Sequence, residues 1–245
     1  MSRAADDSGR VLLTQAVVLH RRAYRETSLL LDVCSADHGR LRLLAKGVKR
    51  GKSPLAHLLQ PFVMLRLSWA GRGELPVLTA AEPAGPGLSL DGTALFCGFY
   101  INELLLNLLP SHDPHPEVFR LYLETLRQLG SEASQEKVLR YFEAALLEEV
   151  GYGLSLDREA QGREIDPAKL YAYVVDEGPV AAEAAAAADA IHGATLLGLK
   201  RRNLENPEAL QEAKRLMRRV VHHYLNGSTL KSRELFRAYG GTANP

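Results

Sequence analysis

Apolar and polar positions recur with a period of two over the first third of the chain and with a period near 3.6 over most of the remainder. Two kinds of element are therefore predicted in succession. From Val11 the chain runs through "VLLTQAVVLH", "TSLLLDVCS", "GRLRLLAKGV", "PFVMLRLSWAG" and "LPVLTAAE". In "RLRLL" and "VMLRLSW" polar or cationic residues take every second place, which sends the apolar ones to a common face. "ADHG" at 36–39 and "AGRG" at 70–73 supply turns. A short helical piece, "SPLAHLLQ", stands before the fourth strand. Five strands with that one helix among them predict a small Greek-key barrel of the OB type, over residues 1–82.

After "EPAGPGLS" the period changes. Leu95, Phe99, Leu105 and Leu108 mark a helix stopped by Pro110. Val118, Leu121, Thr125, Leu126 and Leu129 mark a second; Val138, Phe142, Ala145 and Leu146 mark a third, stopped at Gly151. The expected class is α+β: the barrel, then a mainly helical domain over 83–245 that begins as a bundle. Within it, 152–180 reads as a small irregular insert with one strand-like piece, "LYAYVV". The Ala-rich "VAAEAAAAADAIHGATLLGL" reads as helix. Asn206 as N-cap and Pro207 at the first helical position open a last long helix that runs to Tyr224 and closes at "NG". Its one face carries Leu210, Met217, Val220, Val221 and Tyr224, and its other Lys214, Arg215, Arg218, Arg219 and His222.

Charge changes this picture more than composition does. The net charge of +1 hides 13 Lys/Arg against 6 Asp/Glu in residues 1–80, 7 against 19 in 81–199 and 10 against 4 in 200–245. Two basic ends around an acidic middle predict two anion-binding surfaces. "ALFCGFYINELLLNLL" is interrupted by Asn102, Glu103 and Asn107 and reads as a core helix, not a membrane span. With a polar N-terminus that lacks a signal peptide, a soluble cytoplasmic protein is expected. Cys34 and Cys97 are far apart and without a C-x-x-C partner, so neither a zinc site nor a disulfide framework is expected.

"AKGVKRGKSPL" at 45–55 imitates a phosphate-binding P-loop. Gly47 and Gly51 enclose three residues where that loop needs four, and Pro54 removes an N–H donor where the phosphate-binding helix should start. A basic arm explains more. Between Asp37 and Glu74 there is no acid, while Arg40, Arg42, Lys46, Lys49, Arg50, Lys52, Arg66 and Arg72 accumulate. Mixed charges would keep such a surface soluble with less self-repulsion, so a run of one sign points to tracking a phosphate backbone. Catalytic groupings are weak. His112, Asp113 and His115 lack a fourth metal ligand in sequence, and His222 and His223 point to different helix faces. No enzyme and no cofactor are expected. On the residues alone, an OB-type RNA-binding or translation-associated protein stays open, and an ATP-dependent enzyme is more remote.

"VVLHRRAYRETSLLLDV", "HGRLRLLAKGVKRGKSPLAHLLQPF", "GRGELPVLTAAE", "FYINELLLNLL", "LRYFEAALLEEVGYG" and "LKSRELFR" together resemble the bacterial RecO family of recombination mediators, nearly end to end except between Leu156 and Arg202. The resemblance implies a DNA-repair protein without catalysis, associated with the nucleoid. Such a protein binds single- and double-stranded DNA, anneals complementary strands and interacts with RecR. It also contacts the acidic C-terminal tail of single-stranded-DNA-binding protein and helps load RecA. The resemblance implies DNA contacts at Lys46, Lys49, Arg50 and Lys52; the strand pattern itself puts Arg40 and Arg42 on the face that this loop extends. The charge pattern, apart from the resemblance, predicts a second basic surface of Lys214, Arg215, Arg218 and Arg219; Lys231 and Arg233 match the terminal signature, for packing, DNA contact or both. Arg140 in "LRYFE" matches the position implicated in holding the acidic tail, and Tyr100 is taken with it as a partner-binding residue. Some members carry a four-cysteine zinc motif after the "GYG" helix end; here that stretch has no cysteine, so no metal is carried over.

Overall fold

A computed structural model describes residues 9–49, 54–85, 87–131, 134–182 and 190–239. Strands β1 (Arg10–Tyr24), β2 (Ser28–Ser35) and β3 (Gly39–Ala45) are followed by the short helix α1 (Pro54–Leu58), then β4 (Met64–Ala70) and β5 (Val77–Pro83). The five strands form a closed barrel in the order β1-β2-β3-β5-β4, with β1 pairing antiparallel to β4 and β3 meeting β5 in parallel at Leu44 and Val77. This is the expected OB arrangement, with the helix in the expected place. Alternation does the work: Leu31 and Val33, Leu41 and Leu43, and Leu65, Leu67 and Trp69 take every second position and fill the interior with Ala16 and Val18. Each such aliphatic side chain contributes roughly 1.5–3 kcal/mol by leaving water.

β1 runs four residues beyond the expected end at His20. Arg21, Arg22, Ala23 and Tyr24 pair with Leu31, Leu30, Leu29 and Ser28 of β2. Backbone ladder bonds need no apolar side chain, so a hairpin that projects past the core continues through residues that carry no inward-facing signal.

The helices are α2 (Gly92–Leu108), α3 (Pro116–Ser131), α4 (Gln135–Glu149), α5 (Gly193–Lys200), α6 (Pro207–Tyr224) and α7 (Lys231–Tyr239). A three-stranded sheet is built from β6 (Leu170–Val174), β7 (Gly178–Ala181) and β8 (Ile191–His192), in the order β7-β6-β8. By contact the described chain separates into two compact units, one reaching to 131 and resuming at 231, the other lying between them and ending at 230. In the first unit α2 packs on β1, α3 and α7. Asn102 of α2 is the polar peg: its Nδ2 donates to Leu19 O at 2.9 Å, and its Oδ1 accepts from the buried Tyr122 hydroxyl of α3 at 2.7 Å. Burial pushes that phenol's pKa up, which keeps it a donor. Gly98 lets α2 sit close, because a Cβ there would meet Leu90 and Phe62 side-chain atoms within 2.9 Å.

In the second unit α4 packs with α5 and α6, and α6 with β8. Of the three successive helices, α2 and α3 pack on each other in the first unit, and α4 packs in the second with helices more than 40 residues later. The Ala-rich tract also differs from the helix its propensity suggests. Val180 and Ala181 lie in β7, paired with Ala172 and Tyr171. Ile191 pairs with Tyr171 from the other side, and helix begins only at Gly193. Pairing with β6 overrides propensity here, and 183–189 fall outside the described residues. α6 follows its signals, with Asn206 Oδ1 accepting Ala209 N–H at 2.7 Å and Asn226 and Gly227 at positive φ after its end. Among the described residues no helix is long and apolar enough to cross a membrane.

Candidate nucleic-acid interface

The barrel edge after β3 carries Lys46 and Lys49, both exposed. Gly47 between them adopts φ +70°, a left-handed bend that glycine takes without a steric penalty. Lys49 N–H donates to Thr27 O at 2.9 Å, which ties this loop to the β1–β2 turn. Arg50 and Lys52, the other expected loop contacts, lie outside the described residues.

Arg40 and Arg42 do not present free charges. Arg40 Nε donates to Leu109 O at 2.9 Å and its Nη2 to Ser111 Oγ at 2.8 Å, while its own carbonyl accepts from His112 N at 2.8 Å. It brackets the loop after α2 onto the barrel. Gly39 beside it admits no Cβ, which would stand 2.0 Å from Asp113 O. Arg42 Nε donates to Asp32 Oδ1 at 2.8 Å, and His20 Nδ1 lies 3.5 Å from the other carboxylate oxygen. A pocket of ≈ 410 Å³ on this face is lined by Asp32 and Glu74 as well as by the two arginines, so its charge nearly cancels.

The structure adds cations that the sequence reading left out, on the extension of β1. Arg21 Nη1 donates to Ala56 O at 3.1 Å and Leu59 O at 3.3 Å, pinning the hairpin to the α1 region. Arg22 and Arg25 are exposed, and the Arg25 guanidinium lies 5.3 Å from the centre of the Tyr24 ring. The available signal was the run "RRAYR" immediately before a turn.

On α6, burial and pairing divide the expected basic face. Lys214 is 13% exposed and its Nζ stands 2.6 Å from Glu136 Oε1 of α4. Arg219 Nη2 donates to Tyr173 O at 3.0 Å, Arg218 is half-buried, and Arg215 is exposed. At its end His223 and the Tyr224 hydroxyl both meet the Asp176 carboxylate. In the terminal signature the Lys231 side chain is exposed, whereas Arg233 sits 5.6 Å from the centre of the Tyr100 ring.

The two expected partner-binding residues offer no surface here. Tyr100 is buried in α2, in the first unit. Arg140 is 0% exposed in α4, in the second, and its Nη2 donates to the buried Glu143 Oε1 at 2.7 Å. Tyr141, next to it, accepts Leu204 N–H at 2.8 Å through its hydroxyl and so pins the turn after α5.

The stretch in which some RecO-like chains hold zinc is closed by other means. Buried Glu159 takes Arg163 Nε at 2.8 Å and the Tyr171 hydroxyl at 3.4 Å, and Lys200 bonds Asp157, whose carboxyl it holds below the usual range. Without thiolates, and with its buried carboxylate already engaged, this stretch does not fit zinc. Among the described residues no group of three or more His, Cys, Asp or Glu converges as a metal site.

Two family models match the chain: recombination protein O N terminal over residues 10–86 and recombination protein O C terminal over residues 89–234. A DNA repair protein RecO from Methylococcus capsulatus is 54% identical over 233 residues, covering 95% of this chain and 96% of its own length. One from Nitrosococcus oceani is 46% identical over 228 residues, covering 92% and 93%. Another from Dechloromonas aromatica is 42% identical over 226 residues, covering 91% and 93%.

Proposed function

The chain belongs to the RecO family of DNA repair and recombination proteins, and from that premise we propose that it is a non-catalytic mediator that binds single- and double-stranded DNA and anneals complementary strands. The observation that carries this reading is the barrel edge, where Lys46 and Lys49 are exposed on a loop tied to the β1–β2 turn. Cations there neutralise backbone phosphates, and a second set on the other unit, with Arg215 its exposed member, engages another strand. Neutralising both strands lowers the repulsion that opposes their pairing, and base pairing then supplies the sequence specificity.

Its partners in this reading are RecR, the acidic tail of single-stranded-DNA-binding protein, and through them RecA. A tail carboxylate at Arg140 would exchange with Glu143, so contact requires that side chain to leave its present place.

The test is annealing of two complementary oligonucleotides followed against salt. The unmodified chain should accelerate annealing. Lys46→Gln with Lys49→Gln should lower the log–log salt slope of single-strand binding by about 1.4, at ~0.7 per phosphate contact, and slow annealing without moving the melting temperature. Failure to accelerate annealing, with RNA bound more tightly than DNA of the same sequence, would point instead to an RNA-binding protein.

A further inference from the structure

Strand alternation puts His20, Arg22 and Tyr24 on one face of β1, opposite Asp32, Leu30 and Ser28 of β2; Asp32 and Leu30 in turn face Arg42 and Leu44 of β3. These rows differ in charge. In the row nearest the barrel core, Asp32 is held by Arg42 and flanked by His20, and Arg40 on the same face of β3 is spent on Leu109 and Ser111. Nearer the tip the signs no longer cancel. Arg22 and Arg25 are exposed there, Glu26 is the one acid between His20 and Leu31, and Lys49 is joined to Thr27 by its backbone.

The tip is also a defined scaffold. Arg21 anchors it through two carbonyls, and the Lys49–Thr27 bond fixes the spacing between the two basic loops. Arg25 adopts φ +51°, which costs an L-residue energy and projects its guanidinium over the Tyr24 ring. A flat cation over the half-buried Tyr24 ring can be exchanged for a nucleobase, which stacks on the same π-face. That exchange would release Arg25 to a phosphate.

Resting on the DNA-binding reading above, we propose that the single strand is gripped at the β1–β2 tip, with Tyr24 stacking on a base and Arg22, Arg25, Lys46 and Lys49 on its phosphates, and not along the β2–β3 face. The experiment is fluorescence anisotropy of a labelled oligothymidine with the full chain at several salt concentrations. Tyr24→Leu should weaken binding about tenfold with an unchanged salt slope, and Tyr24→Phe should restore it, since stacking needs the ring and not the hydroxyl. Arg22→Gln with Arg25→Asn should lower the slope by about 1.4; asparagine tolerates the left-handed backbone at position 25, so the loss cannot come from strain. Arg42→Gln should bind within about twofold of the unmodified chain.

If the tip variants bind normally while Arg42→Gln loses affinity and slope, the strand lies on the β2–β3 face and the placement is overturned with DNA binding intact. If the unmodified chain binds no oligonucleotide, the DNA-binding reading falls and takes the placement with it.

Discussion

Arg140 shows how much a single residue depends on its surroundings. A guanidinium with no exposure, held by Glu143 on the next turn of α4, is a buried ion pair whose halves depend on each other. Removing one half strips the other buried charge of this partner and typically costs about 3–5 kcal/mol, whereas replacing both by apolar residues of similar volume is often near neutral. Arg140→Leu should therefore lower unfolding stability by about that amount in denaturant titrations, and adding Glu143→Leu should recover most of it. A loss of partner binding in Arg140→Leu has to be read against that measurement. Glu212 offers a second test. Burial alone would raise its carboxyl, but hydrogen bonds from Thr195 at 2.6 Å and from His192 N at 3.0 Å outweigh it and hold the pKa below the ordinary glutamate value. A depressed carboxylate contributes stability that is complete above its unfolded pKa and fades as pH falls through the folded one. Glu212→Gln should thus cost about 2 kcal/mol at neutral pH, and the gap to the unmodified chain should close only as the solution is acidified below about pH 4.

At the scale of elements, α7 explains why two distant stretches look like signatures. The Glu103 carboxylate of "NELL" accepts Lys231 N–H and Ser232 N–H, each at 2.9 Å, and the Ser232 hydroxyl at 2.6 Å. A side chain of α2 therefore caps the N-terminus of α7, satisfying donors that the helix cannot satisfy itself and placing a negative charge at its positive end. Phe96 and Phe236 meet edge to face at 5.5 Å, and Arg233 lies over Tyr100. The first role of the "LKSRELF" stretch is to dock α7, leaving the Lys231 side chain outward. Glu103→Ala should destabilise the fold by about 1–2 kcal/mol and speed amide exchange over 231–239 well before that of the barrel strands. Equal protection of α7 in both proteins would show that the aromatic contacts alone hold it.

For the whole molecule, the chain determined by itself whatever depends on neighbours a few positions away. The period of two and its turns predict the closed five-stranded barrel, Asn206 and Pro207 predict the start of α6, and Pro110 and Gly151 mark the ends of α2 and α4. The family was legible too, because its stretches keep their residues in order. Tertiary structure alone decided which charges remain available, since a cation's partner is set by folding and not by spacing. Arg40 spends its guanidinium on a carbonyl 69 positions away, and Glu103 caps a helix 129 positions on. Lys214 finds Glu136, and Arg140 is buried within α4, whereas Arg22 at the end of β1 and Arg25 in the turn after it stay in solvent. It also decided that an Ala-rich tract contributes a strand and that α2, α3 and α7 share a unit with the barrel. Periodicity reports which face of an element is apolar; only packing assigns that face a neighbour, and the neighbour determines whether a lysine or arginine beside it is structure or site.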